Sequence, residues 1–272
     1  MRTLAHLSDP HFGRIERATV QALIAAVTQA RPDIVIVSGD LTQRAKAREF
    51  QEARRFLDAL PSPQIVVPGN HDVPLYNVVA RSLRPLRNYQ RYISKELEPF
   101  YSDDEIAIVG VNTARSLTFK SGRINREQVA RSCARLGACG ENRTRVVVCH
   151  HPLDLPETHE LHGLVGRADM AMAGFACCRV DLILSGHLHI SHSKESAPRD
   201  DSPGYPALVI HAGTATSTRT RGEVNSINII QVDGPSVSIR CLTWNRKASS
   251  FLPSETAQFQ RARAGWSRIP PL

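Results

Sequence analysis

The sequence predicts an α/β protein in which a largely parallel β-sheet carries helices on its faces. Over the first 70 residues, short apolar segments of strand length alternate with amphipathic segments of helical length. This β-α-β-α-β order favours parallel pairing, because a strand that returns after a helical crossover runs in the same direction as the one before it. After residue 189 strand-like segments dominate, and Gly, Pro and Asn mark the turns between them.

The N-terminal elements follow from the spacing of apolar residues. The segments TLAHLS, DIVIVS and QIVVP have the length and composition of buried strands. Residues 16–30 and residues 44–60 place apolar side chains on one side of a helix. We expect a helical insert at about residues 74–100, which three prolines interrupt.

The rest of the chain continues the alternation and then becomes β-rich. EIAIVGVNT and RVVVC are predicted strands, with a helix between them at residues 126–136. Residues 167–178 form the next predicted helix, before the strand DLILS; YPALVIHAG, NSINIIQV and SVSIRCLTW follow as strands. We predict one main domain over residues 1–245 and a C-terminal extension over residues 246–272, which we expect to be irregular.

The composition is typical of a globular protein. The 272 residues are 42% hydrophobic and 22% charged. No apolar run reaches the roughly 20 residues that span a bilayer, so no membrane association is predicted. A strand begins within the first few residues and leaves no place for a signal peptide, so we expect a cytoplasmic location. Six cysteines occur without C-x-x-C spacing, and we expect buried, reduced thiols.

The formal net charge is +8, and Arg supplies most of the basic residues. Phosphate or nucleic-acid recognition is one interpretation of this charge, and a solvated surface is the other. No Lys/Arg cluster with interleaved aromatic residues appears, so a nucleic-acid partner is not favoured. Nothing in the sequence predicts an oligomeric state.

Potential metal ligands directly follow five of the predicted strands. They lie in Asp9-Pro-His11, Gly39-Asp40, Gly69-Asn-His-Asp72, His150-His151-Pro152 and Gly186-His-Leu-His189. Sites in open α/β sheets form beyond the carboxyl ends of the strands, so these side chains should meet at one edge. Six of the eleven histidines fall in these segments, which scattered core histidines would not do. Carboxylate, amide and imidazole ligands suit a pair of Mn, Fe or Zn ions, with Asp40 as the natural bridge.

The order D-x-H, G-D, G-N-H-D, H-H-P, G-H-x-H resembles the calcineurin-like metallophosphoesterase superfamily, from Ser8 to His189. The resemblance implies a sandwich of two mixed β-sheets flanked by helices, with two metal ions at one edge. Carried over by position, it implies one metal held by Asp9, His11, Asp40 and His189, and the other by Asp40, Asn70, His150 and His187. His71 would then be catalytic: a metal-bridging hydroxide would attack phosphorus in line, and His71 would assist the leaving group.

Within this superfamily the sequence favours a phosphodiesterase. Ser/Thr protein phosphatases carry G-D-x-x-D-R-G, whereas here Gln43 and Ala45 replace the second aspartate and the last glycine. The aspartate that would support the catalytic histidine is therefore missing. SDPHFG, GDLTQ, VPGNHD, CHHP and SGHLH resemble bacterial proteins similar to class III cyclic-nucleotide phosphodiesterases. We therefore expect small phosphodiesters, such as 3',5'-cyclic nucleotides, as substrates.

Other functions use the same residues. A phosphomonoesterase or nucleotide pyrophosphatase would need the same metal site, because surrounding loops choose the substrate. A nuclease is compatible with the basic charge. A non-enzymatic scaffold predicts gaps in the ligand set, and here every position is filled.

Two features have more than one interpretation. We expect His151 to point away from its neighbour His150, since successive strand side chains alternate, yet it could still contact substrate. A second feature is an arginine series at helical spacing, which could form a cationic lid or a solvated helix face. The series consists of Arg81, Arg84, Arg87 and Arg91.

Overall fold

Two β-sheets pack face to face, and helices cover the outer face of each sheet. The computed structural model describes residues 1–76, 78–116, 118, 120–140, 142–156, 163–196, 205–218, 223–262 and 265–270. The predicted class, a sandwich of two mixed sheets flanked by helices, is confirmed.

The helices and strands of the described residues alternate over the first two thirds of the chain, and strands follow. In order they are β1 (Arg2–Leu7), α1 (Arg17–Ala30), β2 (Ile34–Val37), α2 (Ala47–Asp58), β3 (Gln64–Val66), α3 (Val78–Leu83), α4 (Arg87–Tyr92), β4 (Phe100–Ser102), β5 (Ile106–Val111), α5 (Arg126–Gly137), β6 (Thr144–Cys149), α6 (Ala168–Cys177), β7 (Leu182–His189), β8 (His192–Glu195), β9 (Leu208–Gly213), β10 (Ser226–Asp233), β11 (Ser236–Asn245), β12 (Ser250–Ala262) and β13 (Gly265–Ile269).

Each sheet contains a run of parallel strands, at one edge of the first sheet and at the centre of the second. The first sheet has the order β13-β12-β11-β10-β1-β2-β3, in which β1, β2 and β3 are parallel and β10 pairs with β1 antiparallel. The second has the order β4-β5-β6-β7-β9-β8, with β5, β6, β7 and β9 parallel and antiparallel strands at both edges. The carboxyl ends of β1, β2, β3, β6 and β7 therefore supply the positions where the predicted ligands lie.

The parallel strands are apolar throughout because both of their faces are buried. In β2, Ile34 and Ile36 pack in the core between the sheets, whereas Val35 and Val37 pack beneath α1 and α2. All four side chains are fully buried. A strand covered on both faces has no solvated side, which explains a continuous apolar run instead of an alternating one.

The C-terminal residues do not form an irregular tail, and that expectation was wrong. β12 and β13 extend the first sheet as antiparallel strands, and Phe259 and Trp266 are only 3% exposed. Pro253 lies beside a register shift between β11 and β12, where a proline costs no regular ladder hydrogen bond. Residues 263, 264, 271 and 272 of the predicted extension lie outside the described residues.

A disulfide links Cys133 of α5 to Cys178 at the end of α6. The expectation of reduced thiols was therefore wrong for this pair. The two residues are 45 positions apart, and only the packing of α5 against α6 brings their Cα atoms to 5.6 Å. Cys139, Cys149, Cys177 and Cys241 are free thiols.

The predicted insert contains two short helices, α3 and α4, with Pro85 between them. The four arginines therefore do not share one helical face. Arg81 is buried, and its guanidinium donates hydrogen bonds to the carbonyl oxygens of Pro74 and Ser116. Residue 77 of the insert is outside the described part. None of the described helices combines the length and apolarity needed to cross a bilayer.

Candidate metal centre

The carboxyl ends of strands from both sheets meet at one edge of the sandwich, and the predicted site residues converge there. Four trios of side chains each bring their ligand atoms within 4.8 Å of one another, and one of these trios includes His151. The predicted residues at this edge are Asp9, His11, Asp40, Asn70, His71, His150, His187 and His189. Their convergence is a property of the fold, because β1, β2 and β3 belong to one sheet and β6 and β7 to the other.

One group of ligand atoms forms around Asp9. Its Oδ1 lies 3.1 Å from His189 Nε2 and 3.5 Å from His11 Nε2. The two imidazole nitrogens are 3.2 Å apart. Three ligand atoms from β7 and from the turn after β1 therefore point at a common position.

A second group forms around His150. Its Nε2 lies 3.1 Å from Asn70 Oδ1 and 3.2 Å from His187 Nδ1. The side chains come from the turns after β3 and β6 and from β7. This group combines one amide oxygen with two imidazoles.

Asp40 lies between the two groups. Its Oδ2 is 3.4 Å from His150 Nε2 and 3.8 Å from His11 Nε2. Its other oxygen, Oδ1, accepts a hydrogen bond of 2.7 Å from the backbone N–H of His71. One oxygen is thus fixed by the backbone while the other faces both groups.

The residues present fit bound cations. Asp9 Oδ2 accepts hydrogen bonds from Ser8 Oγ at 2.6 Å and from the backbone N–H of His187 at 2.9 Å. Asp9 Oδ1 is buried and accepts none within the described residues. A buried carboxylate oxygen without a donor costs about 1–3 kcal/mol or more. A cation beside Asp9 Oδ1 would satisfy that oxygen and would separate the facing imidazole nitrogens.

The electrostatics of the cluster also favour positive charge. Burial opposes ionisation of Asp9, but His189 and His11 lower the pKa of Asp9 well below its ordinary value. Likewise, burial alone would lower the pKa of His150, yet the Asp40 carboxylate raises it to about 9. The carboxylates thus attract protons to the imidazoles, and metal ions compete for those positions.

Five of the candidate ligands have a left-handed backbone. The φ angles are 51° for Asp9, 52° for His11, 53° for Asp40, 69° for His187 and 64° for His189. This conformation is uncommon for residues with a Cβ atom and costs on the order of 1–3 kcal/mol each. Such turns redirect each side chain at a strand end, and concentrated strain of this kind marks functional sites.

Glycines before the ligands allow this close approach. A Cβ atom on Gly39, whose φ is 95°, would lie 2.7 Å from His150 Nδ1. A Cβ on Gly69 would overlap the carboxylate and backbone nitrogen of Asp40. These contacts explain physically why G-D and G-N-H-D contain glycine.

Backbone carbonyls orient the histidines, and sequence analysis missed them. His150 Nδ1 donates to the carbonyl of Ser38 at 2.8 Å, which directs Nε2 towards the centre. His71 Nδ1 donates to the carbonyl of Gln43 at 2.9 Å. Gln43 stands where protein phosphatases have the supporting aspartate. Its backbone carbonyl accepts the hydrogen bond instead, so His71 is still held in place. No sequence signal could have revealed a main-chain acceptor.

Two neighbouring residues complete the surroundings. Asp72 accepts backbone hydrogen bonds from Leu41, Thr42 and Gly69, so it ties the turns after β2 and β3 together. His151 does not point away: its ring centroid lies 4.8 Å from those of His150 and His187. Its Nδ1 lies 2.8 Å from Thr113 Oγ1. Burial and the two neighbouring histidines hold the pKa of His151 well below its ordinary value.

A sandwich of two mixed sheets with a carboxylate and imidazole cluster at one edge defines the class of metallophosphoesterases. Residues 2–191 match the family described as calcineurin-like phosphoesterase, and the chain belongs to that family. The family uses centres of two metal ions, which agrees with the predicted cofactors.

Two relatives are similar in sequence. The chain is 33% identical over 165 residues to the glycerophosphodiester phosphodiesterase GpdQ of Enterobacter lignolyticus, covering 56% of this chain and 58% of that protein. It is 24% identical over 200 residues to a probable cyclic nucleotide phosphodiesterase of Synechococcus, covering 69% of this chain and 73% of that protein. The chain thus spans less than two thirds of the first relative's length.

Solved structures share the fold. The purple acid phosphatase PPD1 of yellow lupin seeds superposes with a TM-score of 0.69 at 12% identity, over 94% of this chain and 53% of that one. A Vps29 variant of Entamoeba histolytica superposes with a TM-score of 0.51 at 14% identity, over 95% of this chain and 99% of that one. At such low sequence identity, these similarities show a shared fold.

Proposed function

We propose that the chain hydrolyses small phosphodiesters at a centre of two metal ions. The observation that carries this proposal is the position of Asp40 Oδ2, between the two groups of ligand atoms. One metal would bind Asp9, His11, Asp40 and His189, and the other Asp40, Asn70, His150 and His187. The shared carboxylate makes the two sites a pair rather than independent sites.

The protein side chains have distinct tasks in this proposal. Two cations bound there would supply an activated water and would neutralise the non-bridging phosphate oxygens. Asp9 and Asp40 provide the negative charge that retains the cations, and hydrogen bonds to one oxygen of each hold these carboxylates in place. Little reorganisation is then needed when substrate binds.

His71 is suited to assist the leaving group. Its ring lies 4.9 Å from the His11 ring, centroid to centroid, so it borders the first group of ligands. Because Nδ1 donates to the Gln43 carbonyl, Nε2 is the nitrogen that would donate a proton to the departing oxygen. The backbone N–H of the same residue holds Asp40, which couples the position of His71 to the bridging carboxylate.

Several observations support a diester as substrate. The two relatives are a glycerophosphodiester phosphodiesterase and a probable cyclic nucleotide phosphodiesterase, and both names specify phosphodiesters. The G-D-L-T-Q segment lacks the second aspartate of the protein phosphatase signature. We propose 3',5'-cyclic nucleotides as the first substrates to examine, with Mn, Fe or Zn as the metals and the cytoplasm as the location.

A substrate panel tests this proposal. Protein of measured metal content is assayed with Mn²⁺ on bis-p-nitrophenyl phosphate, p-nitrophenyl phosphate, a cyclic nucleotide, a glycerophosphodiester and a nucleoside triphosphate. We expect diesters to have the higher kcat/KM. Faster turnover of the monoester or of the triphosphate would instead identify a phosphomonoesterase or a nucleotide pyrophosphatase.

The substitution His71→Ala separates catalysis from metal binding. We expect kcat for bis-p-nitrophenyl phosphate to fall about 10²–10⁴-fold, which is the usual contribution of a general acid. Metal content, measured by elemental analysis, should stay at the wild-type value because His71 is not a proposed ligand. The control is His192→Ala, an exposed histidine of β8. Unchanged kcat in His71→Ala would refute the assigned role.

A further inference from the structure

A cationic cavity opens at the end of β7 opposite the metal centre. Its volume is about 450 Å³, and its walls include Arg143, Arg145, Arg179, Arg261, Asp181 and Tyr205. Asp181 directly precedes β7, whereas His187 lies near the other end of that strand. At about 3.3 Å per residue, the two are about 20 Å apart. We propose that this cavity binds a small ligand carrying two or more linked phosphate groups.

The cavity walls carry an excess of positive charge. Four guanidinium groups face one carboxylate, that of Asp181. The Asp181 oxygens are already engaged: Oδ1 accepts from Tyr205 Oη at 2.6 Å and from Arg261, and Oδ2 accepts from the backbone N–H of Arg145 at 2.8 Å. Asp181 therefore compensates Arg261, and three positive charges remain among the described lining residues.

Among the described residues, the other three arginines have no buried counter-charge. The Arg145 guanidinium donates, among the described residues, to the carbonyl oxygens of Cys178 and Gly140, at 2.7 and 3.1 Å, which fixes its position without neutralising it. Within the described part of the chain, Arg143 donates to the carbonyl oxygen of Asp103 and lies 3.9 Å from the fully exposed carboxylate of Asp104. The Arg179 side chain has no hydrogen bond or ion pair among the described residues, and its guanidinium packs over the Tyr205 ring at 5.7 Å.

This arrangement fits phosphate chemistry. The planar guanidinium donates two parallel hydrogen bonds to phosphate oxygens, and arginine is preferred over lysine where such paired contacts occur. The arginines come from β6, from the residues flanking it and α6, and from β12, so the fold assembles them around one concavity. A cavity of this size is within the range of small-molecule sites, about 300–1,000 Å³. Inorganic pyrophosphate and a nucleoside diphosphate share the required chemistry.

Calorimetry on the full chain tests the cavity independently of the metal centre. Pyrophosphate and ADP are titrated into metal-loaded protein and into protein stripped with a chelator that is then removed. We expect binding to persist without metal and to weaken with added salt, since the site is partly exposed. Arg179→Gln should weaken pyrophosphate binding about tenfold, because one charged hydrogen-bond donor is lost. Arg143→Gln/Arg179→Gln should weaken it further.

The control is Arg48→Gln, an exposed arginine of α2 that pairs with Glu52 on the same helix. It should bind pyrophosphate as the wild type does, and Arg179→Gln should hydrolyse bis-p-nitrophenyl phosphate at the wild-type rate. If the double variant does not fold, Arg179→Gln alone decides, since the Arg179 side chain makes no hydrogen bond to the described residues that the substitution could break. Binding that requires metal, or equal weakening in Arg179→Gln and Arg48→Gln, would overturn the proposal. Tighter binding of ADP than of pyrophosphate would assign the cavity to nucleotides. Equal binding of the two ligands would mean that the cavity recognises the diphosphate group itself.

Discussion

At the residue scale, each central carboxylate divides its two oxygens between two tasks. One oxygen of Asp9 and one of Asp40 accept hydrogen bonds from the protein, which fixes the plane of the carboxylate. The second oxygen of each faces the imidazole nitrogens. Asp40 differs from Asp9 because its second oxygen faces both groups of ligands.

Asp40→Asn tests the bridging role. The amide oxygen can still accept from the His71 N–H, but the side chain has lost the charge that two cations would share. We expect the metal content to fall to one ion per chain or fewer, as measured by elemental analysis of dialysed protein. Asp58→Asn, an exposed carboxylate of α2, is the matched control. Two ions retained in Asp40→Asn would mean that another group bridges them.

Gly69→Ala tests the close approach behind the bridge. The added Cβ would overlap the Asp40 carboxylate and backbone nitrogen, and neither can move without disturbing the turn after β2. We expect the variant to fold but to bind metal more weakly by about tenfold or more, because the ligand geometry is displaced. Gly137→Ala in α5 is the comparison, since a Cβ there meets nothing within 4 Å. Wild-type metal affinity in Gly69→Ala would show that this contact is not needed.

At the scale of elements, strand ends supply the chemistry and outer strands supply stability. The candidate ligands follow β1, β2, β3 and β6 or lie at the end of β7. The C-terminal strands contribute no ligand, yet β12 buries Phe259 in the core between the sheets and Phe251 in the core beneath α1. The domain boundary at residue 245 stays a prediction, and the burial of Phe251 and Phe259 argues that the strands after it belong to the same core.

Phe259→Ala measures that contribution. Loss of a buried phenyl ring from a packed core typically costs about 3–5 kcal/mol, so the free energy of unfolding in urea should fall by that amount. Leu252→Ala on the same strand is 41% exposed and should change stability by less than about 1 kcal/mol. Similar stabilities for the two variants would indicate that the C-terminal strands are peripheral to the fold.

At the scale of the whole molecule, the centre joins the two sheets. Asp9, Asp40 and Asn70 come from the first sheet, and His150, His187 and His189 from the second. Contacts such as His189 Nε2 to Asp9 Oδ1, at 3.1 Å, cross between the sheets. Bound metal would therefore connect two layers whose relative position otherwise depends on the core.

Metal loading should stabilise the complete fold. A ligand present at a hundredfold excess over its dissociation constant adds about 2.7 kcal/mol to the free energy of unfolding. We expect Mn²⁺ to raise the melting temperature by several degrees, a chelator to reverse the rise, and Asp40→Asn to abolish most of it. Differential scanning calorimetry measures all three. An equal rise in wild type and Asp40→Asn would place the stabilising ion elsewhere.

The sequence predicted the side chains of the site but not the backbone groups that orient them. Asp40 and His150 were identifiable because carboxylates and imidazoles after apolar strands form a readable pattern. The carbonyl groups of Ser38 and Gln43, which orient His150 and His71, were not, because every residue has a carbonyl and sequence does not show where it points. The position of His151 was mispredicted because regular alternation ends where the strand ends.

The amino-acid sequence by itself determined the α/β class, the strands that precede each ligand and the chemical identity of the candidate metal centre. These features depend on local apolar periodicity and on residue types, which can be read along the chain. Tertiary structure alone decided the Cys133–Cys178 disulfide, the C-terminal strands of the first sheet and the arginine cavity beside Asp181. Each of these joins residues far apart in sequence, and such contacts exist only after the sheets and helices have packed.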